Sequence, residues 1–125
     1  MTDNTTLIEL NAFIVSHTRV IRDLNIITDV DLAELFEVDV EAIRHLTATN
    51  LPKFKDESMI MLSADEMLIY QHVRFAFTDP GIFTLAGLIK TKRSIRIYVK
   101  LIELLVSRLQ NRAFEIATNY PANHV

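Results

Sequence analysis

The sixteen residues from Asp31 to Leu46, DLAELFEVDVEAIRHL, restrict this chain more than any other stretch. They set small, apolar and capping residues at the intervals of two helices crossing at a tight turn, a helix-turn-helix. Ala33 is small where the helices would approach, Val38 plugs the turn, and Ile43 packs the second helix back on the first. Thr28, with Asp31 three residues on, opens a first helix running to about Glu37. Asp39 is placed to accept a backbone N–H at the start of a second, Val40 to about Thr49, which Leu51-Pro52 ends. Glu37 occupies the turn, where left-handed backbone favours glycine; glutamate there carries strain or demands a different turn.

Two glycines and three prolines in 125 residues leave few sharp turns, which argues against an all-β sandwich and for a helix-rich fold. A half-apolar chain of this length builds a core without disulfide or metal support. The absence of cysteine excludes disulfides, thiolate zinc sites and a cysteine nucleophile, and fits a reducing cytosol. Uncharged runs such as Gly81 to Ile89 are too short to cross a bilayer, and Met1-Thr2-Asp3-Asn4 lacks the basic start of a secretory signal. The expected protein is therefore cytoplasmic, with no membrane partner.

The remaining elements follow from period and punctuation. Arg19 to Arg22 and Ile26-Ile27 read as a β-hairpin around Asp23-Leu24-Asn25. Glu57 to Leu62 is a strand, and Ser63 with Glu66 forms a capping box for a helix reaching about Ile69. Val73 to Phe77 alternates as a second strand; Thr78 then caps a helix from Asp79 to about Ile89 whose first turn tolerates Pro80. A final helix spans Ser94 to about Ala117, while Thr5 to Val15 reads either as a short helix or as an added strand. The expected fold is α+β and mostly helical: a helix-turn-helix, a small β-hairpin with wing strands, and a long C-terminal helix. Residues 1–18 form a lead, 19–110 a single domain of DNA-binding type, and 111–125 a tail.

Charge is divided along the chain. The first forty positions hold eight acidic residues against Arg19 and Arg22, whereas Gly81 onward holds two against seven basic ones. Such asymmetry marks a face for a polyanion or an acidic partner, or two ends that attract each other. If the two-helix unit binds double-stranded DNA, its second helix enters the major groove and presents Val40, Glu41, Arg44, His45 and Ala48, with Arg44 suited to bidentate guanine contact. Asp39 and Glu41 work against the approach of phosphates. Lys53 and Lys55 follow the helix, and Lys90, Lys92, Arg93, Arg96 and Lys100 form the strongest basic run; Arg93, Arg96 and Lys100 share one helical face. That run suits phosphates, a solvated face, or the acidic N-terminal third.

The last helix carries Tyr98, Ile102, Leu105, Leu109 and Ala113 on one stripe and Ile95, Val99 and Val106 on an adjoining one, wide enough to be covered twice. Tyr98, Ile102, Leu105, Val106 and Leu109 are the expected homodimer contacts. His17, His45, His72 and His124 show no zinc-binding spacing, and Asp29 and Asp31 lie where a helix dipole favours carboxylates, so no metal is expected. With no phosphate-cradling glycine loop and no Ser, His and Asp cluster, neither an enzyme nor a cofactor is expected.

Val20 to Phe54, the Met59-Ile60-Met61-Leu62-Ser63 run with Glu66, Phe75-Ala76-Phe77-Thr78 with Gly81, and Ser94-Ile95 together resemble the ORF-six N-terminal domain, a relative of the KilA-N and Bro-N domains of phage and large-virus proteins. The resemblance implies DNA binding in a phage- or mobile-element-type regulator of the antirepressor or transcription-regulator kind. The acidic second helix and the double apolar stripe lead to the alternative: a module of the same fold that has lost DNA binding and dimerises or takes a host protein.

Overall fold

A computed structural model describes residues 6–119, with side chains through Asn111. Helix α1 (Leu7–His17) precedes a hairpin of β1 (Arg19–Ile21) and β2 (Leu24–Thr28); α2 (Asp29–Phe36), α3 (Val40–Thr49) and a single 3₁₀ turn at Leu51–Lys53 follow. Then come β3 (Met59–Met61), α4 (Ala64–Ile69), β4 (Phe75–Phe77), α5 (Asp79–Ile89) and the long α6 (Lys92–Asn119). The fold is α+β and mostly helical, as the sequence predicts.

The strands form one antiparallel sheet in the order β1-β2-β4-β3, with Ile27 opposite Phe77 and Ile60 opposite Ala76. Alternation along each strand sends neighbours to opposite faces. Ile27, Met59, Phe75 and Phe77 face the main core with α1, α2, α3, α5 and α6, while Ile26, Ile60 and Ala76 join Ile21, Leu62 and Val73 beneath Tyr70 at the end of α4. Thr5 to Val15 resolves as helix from Leu7 onward, and Leu10, Phe13 and Ile14 are buried in the main core. The segment expected as a lead thus contributes to the same body. Helix α6 runs unbroken past Asn111, where a tail was expected to begin; Ala113 lies outside the described side chains.

The caps agree in part. Thr28 Oγ1 accepts from the Asp31 N–H (3.2 Å), and Ser63 with Glu66 makes the full capping box. Asp39 does not cap with its side chain, because its backbone carbonyl already takes the N–H groups of Ala42 and Ile43. Thr78 does not cap either: its hydroxyl donates to the Glu57 carbonyl (2.7 Å), and its N–H to that of Ser58 (3.0 Å). This contact presses residues 57–58 onto the first turn of α5 and explains Gly81, where a Cβ would stand 1.8 Å from the Ser58 carbonyl oxygen. The hairpin turn falls on Arg22-Asp23, both with positive φ, rather than on Asp23 to Asn25. Two consecutive left-handed residues match the twist of a two-residue hairpin.

Candidate nucleic-acid interface

The candidate interface centres on the turn between α2 and α3. Glu37 adopts the left-handed conformation (φ 54, ψ 49), and the N–H groups of Glu37 and Val38 bond back to the carbonyls of Glu34 (3.2 Å) and Ala33 (3.1 Å). This is the double closure that normally takes glycine. Ala33 and Ile43 are buried where the helices meet, and Val38 packs against the same core, as the spacing predicts.

Two arginines hold this unit in place, and both were expected at DNA. Arg44 Nε donates to Asp29 Oδ2 (2.9 Å), Nη1 to Glu41 Oε1 (2.9 Å), and Nη2 to the His72 carbonyl. Asp29 is fully buried, and its carboxylate also accepts the N–H groups of Val30 (2.8 Å), Arg74 (3.2 Å) and Phe75 (3.2 Å). One carboxylate thereby ties the starts of α2 and β4 to α3. Burial opposes the Arg44 charge, but its bonds to Asp29 and Glu41 outweigh it and raise the pKa above the ordinary arginine value. Arg44 is therefore engaged by the fold instead of standing open to a guanine edge, because a buried carboxylate needs a charged partner more than the solvent-facing side does. Sequence reading gave Asp29 only a place near a helix dipole; its one signal is a charge inside the run from Ile26 to Val30.

Arg93 is likewise an anchor. Its side chain is 7% exposed; Nε donates to the Leu35 carbonyl (2.9 Å) and lies 2.9 Å from Glu37 Oε2. Burial removes it from the phosphate-facing set expected for it, but the same contact docks the first turn of α6 on the α2–α3 turn. Thr91 opens α6 by reciprocal side-chain bonds with Ser94, one residue after Lys90 ends α5 in a left-handed conformation. Lys90, Lys92 and Arg96 are exposed around this junction, and Lys100, one turn further on, is half-buried.

On α3, Glu41, Ala42, His45, Ala48 and Thr49 are exposed, Val40 is half-buried, and Ile43 and Thr47 are buried. His45 thus faces solvent, while Glu41 does so in its pair with Arg44. Lys53 and Lys55 are exposed beyond the far end of this ten-residue helix. They sit about 15 Å along the axis from the α2–α3 turn, so the two lysine groups flank α3 at opposite ends. Tyr98, Ile102, Leu105, Val106 and Leu109 are all exposed on α6.

The sequence model of the ORF6N domain matches residues 16–90, more than half of the chain. The chain belongs to the ORF6N family. The match takes in the hairpin, the α2–α3 unit with its Asp29 and Arg44 anchor, and Gly81, and it ends where the α5–α6 junction begins. Arg93, which pins α6 to this ORF6N unit, lies three residues past that end. No curated protein and no solved structure matches the chain. No helix among the described residues is long and apolar enough to cross a membrane.

Proposed function

We propose that this ORF6N chain is a non-enzymatic, DNA-binding regulator of phage or mobile-element type, with α2 and α3 as its helix-turn-helix. The observation that carries the reading is the Arg93 anchor, which holds the basic α5–α6 junction against the turn that starts α3. A helix presented to the major groove then has cations beside it for the flanking phosphates. In this reading His45 and Glu41 approach base edges, and Lys53, Lys55, Lys90, Lys92, Arg96 and Lys100 contact the backbone. Arg44 and Arg93 act indirectly, by orienting α3 and the junction.

Selection from a random duplex pool tests it. The reading expects one enriched motif for the wild type and an altered preference at one or two positions for His45→Ala. A pool that emerges without enrichment removes the sequence-reading role of α3.

One observation favours a second reading, a dimerisation module. Val99, Ile102, Leu105, Val106 and Leu109 are each at least 40% exposed on α6, at the three- and four-residue steps of a self-pairing helix. Light scattering is expected to give a dimer at high micromolar concentration that Ile102→Glu dissociates. A strict monomer leaves a host protein as the occupant of that stripe. Dimerisation and DNA binding are compatible, since paired units engage two half-sites.

A further inference from the structure

The chain approach of α1 to α2 creates a constellation that histidine spacing does not reveal. His17, the last residue of α1, lies beside Asp31 and Glu34 on the first turns of α2, and one ligating atom from each of the three falls within 4.8 Å of the others. We propose that these residues form a divalent transition-metal site of the zinc class, clipping the end of α1 to α2.

The imidazole is set up for this. His17 Nδ1 is 2.8 Å from the Phe13 carbonyl, which can only accept, and 2.9 Å from Ser16 Oγ, so in the neutral ring Nδ1 is the nitrogen with the proton and Nε2 the one with a lone pair for a metal. The ring stacks on Phe13 with centroids 3.8 Å apart, which further fixes its direction. A ligating histidine whose other nitrogen donates to a backbone carbonyl is the usual arrangement around zinc. No hydrogen bond or ion pair occupies the carboxylates of Asp31 and Glu34 among the described residues. Their spacing of three puts them on one helical face.

Bonds of about 2.1 Å in tetrahedral geometry place ligand atoms about 3.4 Å apart, so an entering ion draws the three groups together by at most about 1.4 Å. Side chains that are half-buried or exposed accommodate this by rotamer adjustment. One imidazole with two carboxylates favours zinc over magnesium or calcium, which prefer oxygen ligands alone. Three protein ligands leave the fourth position to water. Helix α1 packs chiefly on α6, so the ion adds a direct tie from α1 to the two-helix unit. The expectation of no metal rests on histidine spacing and on reading Asp31 as a carboxylate favoured by the helix dipole; this site needs only one histidine and takes Asp31 as a ligand.

The test is calorimetric titration of the untagged full chain with Zn²⁺, with Mg²⁺ as comparison, alongside thermal melting. One Zn²⁺ per chain is expected to bind with micromolar affinity and raise the melting temperature, with Mg²⁺ at least about tenfold weaker. His17→Gln and Glu34→Gln are each expected to lower Zn²⁺ affinity about tenfold or more while leaving the metal-free melting temperature near that of the wild type. Glu34 is exposed and unbonded, so that variant folds even if His17→Gln does not. Zn²⁺ affinity no better than millimolar, affinity unchanged in Glu34→Gln, or Mg²⁺ binding as tightly as Zn²⁺ would each overturn the proposal. None of these outcomes depends on DNA binding.

Discussion

At Asp29 four donors converge on one carboxylate: the N–H groups of Val30, Arg74 and Phe75, and the Arg44 guanidinium. Removing Arg44 leaves the fully buried Asp29 carboxylate without its charge partner, and removing Asp29 takes from Arg44, whose side chain is 15% exposed, its most buried partner. Asp29→Ala is expected to cost about 3 kcal/mol, and Arg44→Ala, which leaves Asp29 its three N–H bonds, about 2–3 kcal/mol, both read by urea denaturation. An Arg44→Ala protein as stable as the wild type would return Arg44 to the surface and to DNA. Glu66 supplies the pH prediction. The Arg22 side chain, followed by the Ser63 N–H, lowers its pKa from 4.5 to about 2. A depressed carboxylate stabilises the fold above its unfolded pKa and loses that contribution as pH falls through the folded value. The melting-temperature gap between wild type and Glu66→Gln should therefore be full above about pH 4.5 and close toward pH 2. A gap independent of pH would contradict the pairing.

Among elements, the two left-handed helix ends differ in what their side chains do. Glu37 accepts the strain of that conformation while its carboxylate meets Arg93; Lys90, with φ 59, ends α5 and makes no salt bridge among the described residues. Lys90→Gly is expected to gain about 1 kcal/mol in urea denaturation, because glycine adopts this backbone without the Cβ clash. No gain would mean that the lysine side chain compensates the strain. The same scale shows what could be read from the chain. The α2–α3 pair, Ser63 with Glu66 and α5 were legible because caps and apolar spacing are local signals. The hairpin turn is not legible because Arg22 carries no turn signature; Asp39 does not cap because its own carbonyl takes the Ala42 N–H, and Thr78 because its hydroxyl is drawn to the Glu57 carbonyl 21 residues back in the chain. The strands shrank to three residues at β3 and β4, since only those that pair across the sheet count.

Across the whole molecule, the segregation of charge acquires a shape. The acidic N-terminal third supplies Asp29 and Glu37, and the fold spends one basic residue on each, Arg44 and Arg93. The cations of the α5–α6 junction remain on the outside of that joint: Lys90, Lys92 and Arg96 exposed, Lys100 half-buried. Sequence located this basic run but not the division within it, because burial of Arg93 depends on a carbonyl 58 residues away. The decisive measurement is a salt titration of duplex DNA binding for the wild type and for a variant with Lys90, Lys92, Arg96 and Lys100 changed to alanine. Wild-type binding is expected to be steeply salt-dependent, with a log–log slope about 3–4 units shallower in the variant. Equal slopes for the two proteins, or wild-type affinity no better than millimolar at low salt, would contradict that expectation.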